Sequence, residues 1–441
     1  MNVGIIGLGF VGLSFASVLG AKGYSVIGFD TDKTKLASIK RGIPPFYEPR
    51  LEETLKSALK SGLRISEDLS TLVNGCKLIF ITIGTPQRKD GSIDLSMVKS
   101  AISDIGNLLK KTNNRPVIII KSTVVPGTTK EVLLPLLKRK SGKVEGKDFE
   151  IIANPEFLRE SMAIQDTENP HVVVLGGTKN KFMNFVESFY KKLHKNTPIV
   201  VTNSQTAELI KYANNSFLAT KISFINQISN ICQSIPGANV EDVAKTIGLD
   251  PRIGSLFLNA GPGYGGSCLP KDVKAIINFA SKVGVKPILL DAVEAVNSYQ
   301  LENLLSTIKK ALGSMKNKKI TILGLAFKPD TDDIRDSISI KLIKRLLKSG
   351  AKIKAHDPKA IENTRKIFGD SIQYTNSLKD ALMGADCGVI VTHWKDYSRI
   401  NNSHISTMNK KIIVDTRRIL QNHNLDMRYY PIGIGQTSNR Y

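Results

Sequence analysis

The chain has 441 residues, 41% hydrophobic and 23% charged, a length that suits two to three globular domains of about 100 to 200 residues and a balance that excludes disorder. Its 34 Gly and 18 Pro follow no repeat period, which excludes collagen-like and low-complexity chains. Sixty-two Lys and Arg against 39 Asp and Glu leave +23, a field that draws anions, while four scattered Cys without a CxxC and six His without ligand spacing disfavour a disulfide scaffold and a metal site.

Met1 to Ala21 carries no charge and is long enough to span a bilayer. Glycine stands there at 4, 7, 9, 12 and 20, with no basic segment before it and no small-residue cleavage site. The segment therefore reads as the first strand of a cytoplasmic protein without a membrane partner. Asn2 to Ile6 is that strand, Gly7-Leu8-Gly9-Phe10-Val11-Gly12 a tight turn, the residues to Gly20 a helix, and Tyr24 to Phe29 a second strand ending in Asp30. Three glycines of this spacing give a sharp turn, close backbone approach to a pyrophosphate and close helix packing, and an acid at Asp30 suits ribose hydroxyls. The turn alone is weak evidence, but the complete strand, turn, helix, strand and acid predict a dinucleotide site. Asp30 favours NAD over a 2′-phosphorylated cofactor, with Lys33 and Lys35 pulling the other way.

The runs Leu78 to Ile83 and Val117 to Lys121 end in Gly84-Thr85-Pro86 and Ser122-Thr123-Val124-Val125-Pro126-Gly127. Carboxyl ends of parallel strands deliver such residues to a ligand crevice, so Thr85 and Thr123 are candidate cofactor neighbours; hydroxyls that cap the next turn would look the same. Asn154-Pro155-Glu156-Phe157-Leu158-Arg159-Glu160 supplies two carboxylates and an arginine, in the pattern of a catalytic base or of a salt-bridged loop.

Ser204 to Ile235 predicts one helix of roughly 45 Å, capped by Ser204, with Glu208 favourable to its dipole and Pro236-Gly237 stopping it. Ala213, Phe217, Phe224, Ile228, Ile231 and Ile235 form an apolar stripe that suits linking domains or dimerising. Lys211 and Asn215 share a face, either to stabilise a developing alkoxide or simply to meet solvent. The densest signal follows: Gly261-Pro262-Gly263-Tyr264-Gly265-Gly266-Ser267-Cys268-Leu269-Pro270-Lys271-Asp272. A glycine loop leading into a helix presents backbone N–H groups which, with Lys271, favour the thiolate that a nucleophile needs. Cys268 is therefore the candidate nucleophile, and Cys76, Cys232 and Cys387 read as structural. A cysteine beside an NAD site points to oxidation at the aldehyde level through a thioester that water must release.

The last third restarts the opening pattern: Lys319 to Gly324, Ala351 to His356 with Asp357, and Cys387 to Thr392. Gly324-Leu325-Ala326-Phe327-Lys328-Pro329 lacks the three-glycine spacing, which argues for a different phosphate ligand there or none. Lysine clusters at 138–140, 191–195 and 316–319 come without an RNP-type aromatic motif or a Cys/His finger, so no nucleic-acid partner is expected.

Taken together, GLGFVG with Asp30, the GTP at 84–86, KSTVVPG, NPEFLRE, ELIKYANNSF, GPGYGGSCLPKD, GLAFKPDTDDIRDS and DTRRI resemble the UDP-glucose and GDP-mannose dehydrogenase family along essentially the whole chain. The resemblance implies an α/β fold with two Rossmann-like doubly wound domains joined by a long central helix and a helical dimerisation region. Residues 1–203 would bind NAD, 204–310 form the helical centre with the cysteine loop, and 311–441 bind the nucleotide sugar through its UDP. It further implies NAD-dependent four-electron oxidation of a nucleotide-sugar C6 alcohol to the acid. Cys268 would be the nucleophile, with Lys211, Asn215 and Asp272 stabilising oxyanions, Asp272 and Thr123 holding a water, and Glu156 assisting thioester hydrolysis. Glu160, Lys271 and Arg335 would approach the NAD beside Gly7, Gly9, Phe10, Val11, Gly12, Asp30, Lys35 and Thr85. Phe157, Leu158, Arg159, Phe257, Leu258, Asn259 and Gly265 would run along the nucleotide sugar, and Phe327, Lys328 and Arg417 would hold its diphosphate. Arg252 resembles an arginine lent by a neighbouring subunit, so a homodimer or larger homo-oligomer is implied. PRIG before FLNAGPGYGG resembles the UDP-glucose branch, with GDP-mannose and UDP-N-acetylhexosamines as alternatives.

Overall fold

The computed structural model describes residues 2–436; Met1 and 437–441, which the sequence reading includes in its first and last domains, lie outside the described residues. The chain divides into two compact units, with the boundary between Asn214 and Asn215 inside the long helix.

The first unit is built on eight strands: β1 (Asn2–Ile6), β2 (Ser25–Phe29), β3 (Leu63–Ser66), β4 (Leu78–Ile81), β5 (Val117–Ile120), β6 (Glu150–Ala153), β7 (Val173–Gly176) and β8 (Ile199–Thr202). Their order is β3-β2-β1-β4-β5-β6-β7-β8. The first six pair in parallel, β7 meets β6 antiparallel with Ala153 opposite Gly176, and β8 runs parallel to β7. All four residues of β4, β5, β6 and β7 are buried, as a sheet covered on both faces requires of near-continuous apolar runs. Chain order reverses between β1 and β4, which opens a crevice at their carboxyl ends. The helix Phe10–Ala21 leaves β1 so closely that a Cβ on Gly12 would stand 1.9 Å from the Gly7 carbonyl oxygen and 2.5 Å from the Thr82 hydroxyl.

The second unit holds β9 (Lys319–Leu323), β10 (Lys352–His356), β11 (Gln373–Tyr374), β12 (Cys387–Ile390), β13 (Ile412–Asp415) and β14 (Arg428–Pro431). All pair in parallel, in the order β11-β10-β9-β12-β13-β14, which repeats the arrangement of β1 to β6. The helices Leu269–Lys282 and Ile288–Leu312 precede them.

The long helix spans Ser204–Gln233. Its cap differs from the expectation: the Asn203 side chain accepts from Thr206 N at 2.8 Å, whereas the Ser204 hydroxyl donates to the Gly176 carbonyl at 3.2 Å. Asn and Ser are equally good caps, and the backbone leaving β8 decides between them by placing Asn203 one position ahead of the first helical turn. The apolar stripe faces outward in the single chain, with Phe217 66% and Phe224 53% exposed and Ile231 and Ile235 exposed beside them. Polar side chains, among them Glu208, Lys211, Asn215, Ser223 and Asn226, are buried instead.

Within the second unit Arg418 is a buried brace in the left-handed region at φ 58°. It donates to the Ala260 carbonyl at 2.8 Å, to the Ile432 carbonyl at 2.9 Å and to the half-exposed Glu241 at 3.0 Å. Arg418→Leu removes the donors and leaves those buried carbonyls unsatisfied, so urea denaturation should show a loss of about 3 kcal/mol.

Candidate active site

At the end of β2 the Asp30 carboxylate accepts from Leu8 N at 2.8 Å, inside the glycine turn, from Asp32 N at 3.0 Å and from the Lys35 ammonium at 2.8 Å. Burial opposes its charge, but the Lys35 and backbone donors outweigh burial and hold the carboxyl below its ordinary range. Lys35 thus serves Asp30. Gly7 adopts φ +97°, and a Cβ on Gly9 would meet nothing within 4 Å, so the turn offers open backbone to a diphosphate. Thr82 closes the turn by donating to the Gly7 carbonyl at 2.7 Å. Thr85, after β4, donates to the Thr123 carbonyl at 2.7 Å, so the two threonines singled out from the sequence meet across adjacent strand ends.

The corresponding acid of the second unit is closed. Asp357 accepts from Leu325 N (2.6 Å), Ala326 N (3.0 Å), Lys359 N (2.8 Å), Ala360 N (2.8 Å) and the Trp394 indole (3.1 Å). A carboxylate has about four acceptor positions, so five donors leave none for a ribose. Phe327 fills the neighbouring space: a Cβ on Gly266, itself at φ +87°, would stand 2.6 Å from its ring. This half is therefore no second dinucleotide cradle, in line with its missing glycines.

The buried side of the long helix carries the polar chemistry. Glu208, beyond any role with the helix dipole, accepts from Gly127 N at 2.7 Å and Thr129 N at 2.8 Å and so holds the loop that follows Thr123. Burial pushes its carboxyl up to about 7, against the pull of those donors. One turn on, the Lys211 ammonium meets Glu156 at 3.2 Å, both buried, and lies 5.4 Å from the centre of the Phe157 ring. The other Glu156 oxygen accepts from Leu158 N at 2.5 Å. The NPEFLRE segment is therefore an ion-paired loop whose pair lies inside the protein, where losing one partner strands a buried charge. Glu160 is buried, and Arg159 is clamped to Asp166 at 2.6 Å and 2.9 Å.

In the second unit Asn215 donates to Asp272 at 2.7 Å, and Lys271 donates to the other Asp272 oxygen at 2.5 Å. Cys268 stands at the N-terminus of the helix Leu269–Lys282, only partly buried, with the Ser267 hydroxyl 3.5 Å from its sulfur. The N-terminal partial positive charge of that helix favours a thiolate. Cys76 and Cys387 are buried in apolar surroundings that push their thiols up to about 11 and about 12, and burial raises Cys232 as well, so Cys268 is the accessible sulfur. The loop before it is held by glycines: a Cβ on Gly265 would stand 2.5 Å from the Asp336 carbonyl oxygen, and one on Gly261 2.5 Å from the Arg417 guanidinium. Arg417 donates to the Val391 carbonyl at 2.8 Å, and burial draws it down to about 10. Lys328 lies 5.8 Å from the centre of the Phe327 ring, Leu258 is buried, and Phe257 takes a left-handed φ of 66°. Arg335 grips Asp333, and Arg252, 87% exposed, grips Asp250.

Each unit thus gathers its own group: Asp30 with Lys35, Thr85 with Thr123 and Glu156 with Lys211 in the first, Asn215, Lys271 and Asp272 near Cys268 in the second. Arg159, Arg252 and Arg335 point instead to neighbouring carboxylates. Sequence reading missed the anchoring role of Glu208, although its spacing of three and seven from Lys211 and Asn215 places it on their face. It also missed Lys121, which directly follows β5 and is buried. Among the described residues no group of three His, Cys, Asp or Glu is arranged for a metal, and no helix is long and apolar enough to cross a membrane.

The open glycine turn with Asp30 at the switch point of a doubly wound sheet defines a dinucleotide-binding site of the kind that NAD-dependent dehydrogenases carry. Models of the UDP-glucose/GDP-mannose dehydrogenase family match three stretches: its NAD binding domain over residues 1–194, its central domain over 205–299 and its UDP binding domain over 321–422. The chain belongs to that family. It is 40% identical over 423 residues to the UDP-glucose 6-dehydrogenase AglM of Haloferax volcanii, covering 95% of this chain and 97% of that protein. The structure of a UDP-glucose dehydrogenase from Pyrobaculum islandicum superposes with a TM-score of 0.92 at 34% identity, covering 98% of each chain. A UDP-D-ManNAc dehydrogenase from Pyrococcus horikoshii follows at TM-score 0.87 and 27% identity, covering 99% of this chain and 100% of that one.

Glu208→Gln turns an amide donor toward one of two backbone N–H groups. Urea denaturation should register a loss of about 2 kcal/mol, and turnover should fall while sugar affinity holds.

Proposed function

We propose that this chain oxidises the C6 alcohol of UDP-glucose to the carboxylate, consuming two NAD and one water and releasing UDP-glucuronate and two NADH. The observation that carries the reading is Cys268 at a helix N-terminus, four residues from an Asp272 that Asn215 holds from the long helix. The names of the full-length relatives support UDP-glucose as the sugar nucleotide.

Gly7, Gly9, Phe10, Val11, Gly12, Asp30 and Lys35 would hold the adenosine and pyrophosphate of NAD, with Thr85, Thr123, Glu160, Lys271 and Arg335 toward its other end. When bound, NAD supplies the hydride acceptor for both oxidations. Lys211 and Asn215 stabilise the C6 alkoxide as the alcohol loses its proton, and Asp272 with Thr123 holds the water that receives it. The Cys268 thiolate then adds to the aldehyde carbon, giving a thiohemiacetal whose carbon gives up a second hydride and becomes a thioester. Glu156 assists a water that adds to this carbonyl; the carbon–sulfur bond breaks, the acid leaves and the thiolate is restored. Phe327, Lys328 and Arg417 bind the diphosphate, and Phe157, Leu158, Arg159, Phe257, Leu258, Asn259 and Gly265 line the rest of the substrate.

The working assembly in this reading is at least a homodimer. Phe217, Phe224, Ile231 and Ile235 present apolar surface at helical spacing in the single chain, and the exposed Arg252 suits donation to a neighbouring copy.

Cys268→Ser should still bind NADH but lose acid formation by several orders of magnitude; full acid yield from this variant would remove the nucleophile assignment. A panel of UDP-glucose, GDP-mannose and UDP-N-acetylhexosamines, followed by NADH release, should show UDP-glucose turned over best, and activity on GDP-mannose alone would overturn the substrate. Sedimentation should find the native chain at least dimeric and the double variant Phe217→Asp, Phe224→Asp monomeric with a raised KM for the sugar. A native chain that is monomeric and active would contradict the assembly.

A further inference from the structure

Lys121 directly follows the apolar strand β5, two residues before Thr123, and is buried at 8% exposure. Its ammonium donates to the Asn154 side-chain oxygen at 3.2 Å and lies 5.3 Å from the centre of the Phe15 ring. Among the described residues no carboxylate forms an ion pair with it. Burying an ammonium on one neutral hydrogen bond is costly, and a methionine would fill the same space at less expense to stability. The charge therefore needs another explanation.

Asn154 supplies the connection. Its side-chain oxygen also accepts from the Tyr190 hydroxyl at 2.5 Å, its amide donates to the Val174 carbonyl at 2.8 Å, and its backbone N donates to the Ile120 carbonyl at 2.8 Å. Lys121 N donates to the Ile81 carbonyl at 2.9 Å. Lys121 and Asn154 thus tie together the ends of β4, β5 and β6, from which Thr85, Thr123 and Glu156 emerge. Asn154 is fixed on four sides, and Pro155 leaves the backbone little freedom before Glu156.

The charged groups that face Lys121 are few. Glu156, beyond β6, attracts it, and Lys211, on the long helix, repels it. His194, stacked on Tyr190 in the helix Lys181–Leu193 and its end, is pushed down to about 4, by burial first and then by Lys22 and Lys121, so it is neutral at working pH. The Tyr190 hydroxyl, which burial raises, is neutral too. Glu156 thus feels two buried cations, Lys211 in direct contact and Lys121, held on Asn154, at longer range.

We propose that Lys121 is a positioning residue for the second, hydrolytic half of the reaction: anchored on Asn154, its ammonium holds the Asn154-Pro155-Glu156 segment in register with the Thr123 strand end and keeps a positive charge facing Glu156. This rests on the four-electron reading given under Proposed function. Burial lowers Lys121 to about 8, with attraction from Glu156 raising it and repulsion from Lys211 lowering it further. Its pKa lies below that of a free lysine, so the ammonium is present at neutral pH and is lost as pH rises through about 8. Thioester hydrolysis should then carry an alkaline limb in that region.

The experiment follows single turnovers of UDP-glucose with NAD between neutral and alkaline pH, in the native chain, Lys121→Met and Lys121→Arg. It reads NADH formation, release of acid and the protein-bound thioester by mass. Lys121→Met should slow acid release by about 10-fold or more, accumulate thioester and lose the alkaline limb, with KM for UDP-glucose and NADH affinity within about twofold of native. Lys121→Arg, whose charge persists at every pH used, should recover part of the rate and also lack the limb. Hydrolysis by Lys121→Met at the native rate would overturn the proposal, as would parallel losses in KM, NADH affinity and both oxidations, which mark a merely structural role. Should Lys121→Met fail to fold, the limb decides: the same limb in native and Lys121→Arg proteins overturns the proposal. A native chain that forms no acid would instead remove the four-electron reading, so the two failures are distinguishable.

Discussion

From Glu208 to Asn226 the long helix buries polar side chains on successive turns, and five of them reach five different segments of chain. Glu208 holds the backbone at Gly127 and Thr129, Lys211 pairs with Glu156, Asn215 donates to Asp272, Ser223 donates to the Val293 carbonyl, and Asn226 accepts from Gly261 N. A polar group buried without a partner costs about 1 to 3 kcal/mol, so each of these positions enforces the segment it meets. Two of the five, Lys211 and Asn215, belong to the candidate chemistry, Glu208 holds the loop after Thr123, and Asn226 fixes the first glycine of the cysteine loop. The buried side of this helix mixes these polar groups with Ala207, Tyr212, Ala219 and Ile225, while Phe217, Phe224, Ile231 and Ile235 stay exposed in the single chain.

The two doubly wound sheets show how one frame serves two purposes. In both, the first strand is followed by a glycine at φ near +98°, and in both the next strand is followed by an aspartate that accepts from backbone N–H of the first turn. Around Asp30 the remaining donors are Lys35 and one backbone N–H, and Gly9 leaves the turn open. Around Asp357 the indole of Trp394 and further backbone groups complete the set, and Ala326 and Pro329 stand where the first turn has Gly9 and Gly12. The second sheet keeps the aspartate as a structural tie and gives up the ribose.

Much of this was legible in the sequence because the signals are local. The glycine turn with Asp30, the apolar strands followed by Thr85 and Thr123, and the glycine loop before Cys268 depend on residues close together in the chain, and the structure forms each of these turns, strands and loops. The restart of the pattern at Lys319 and the loss of its glycines likewise anticipated the closed second half. The partners of Glu208, Lys121 and Asp357 were not legible, because they arise between segments about 30 to 80 residues apart and no local period encodes them. The cap of the long helix was misplaced by one residue for a related reason: Asn203 and Ser204 are interchangeable by propensity, and only the exit from β8 selects between them.

The central claim is that the groups this helix holds serve two successive oxidations at one carbon, through Cys268. The direct measurement is the amount of NADH formed for each UDP-glucose consumed to completion by the native chain, with the sugar product identified by mass. Two NADH and UDP-glucuronate are expected. One NADH per sugar, with the product left at the aldehyde, would contradict the account.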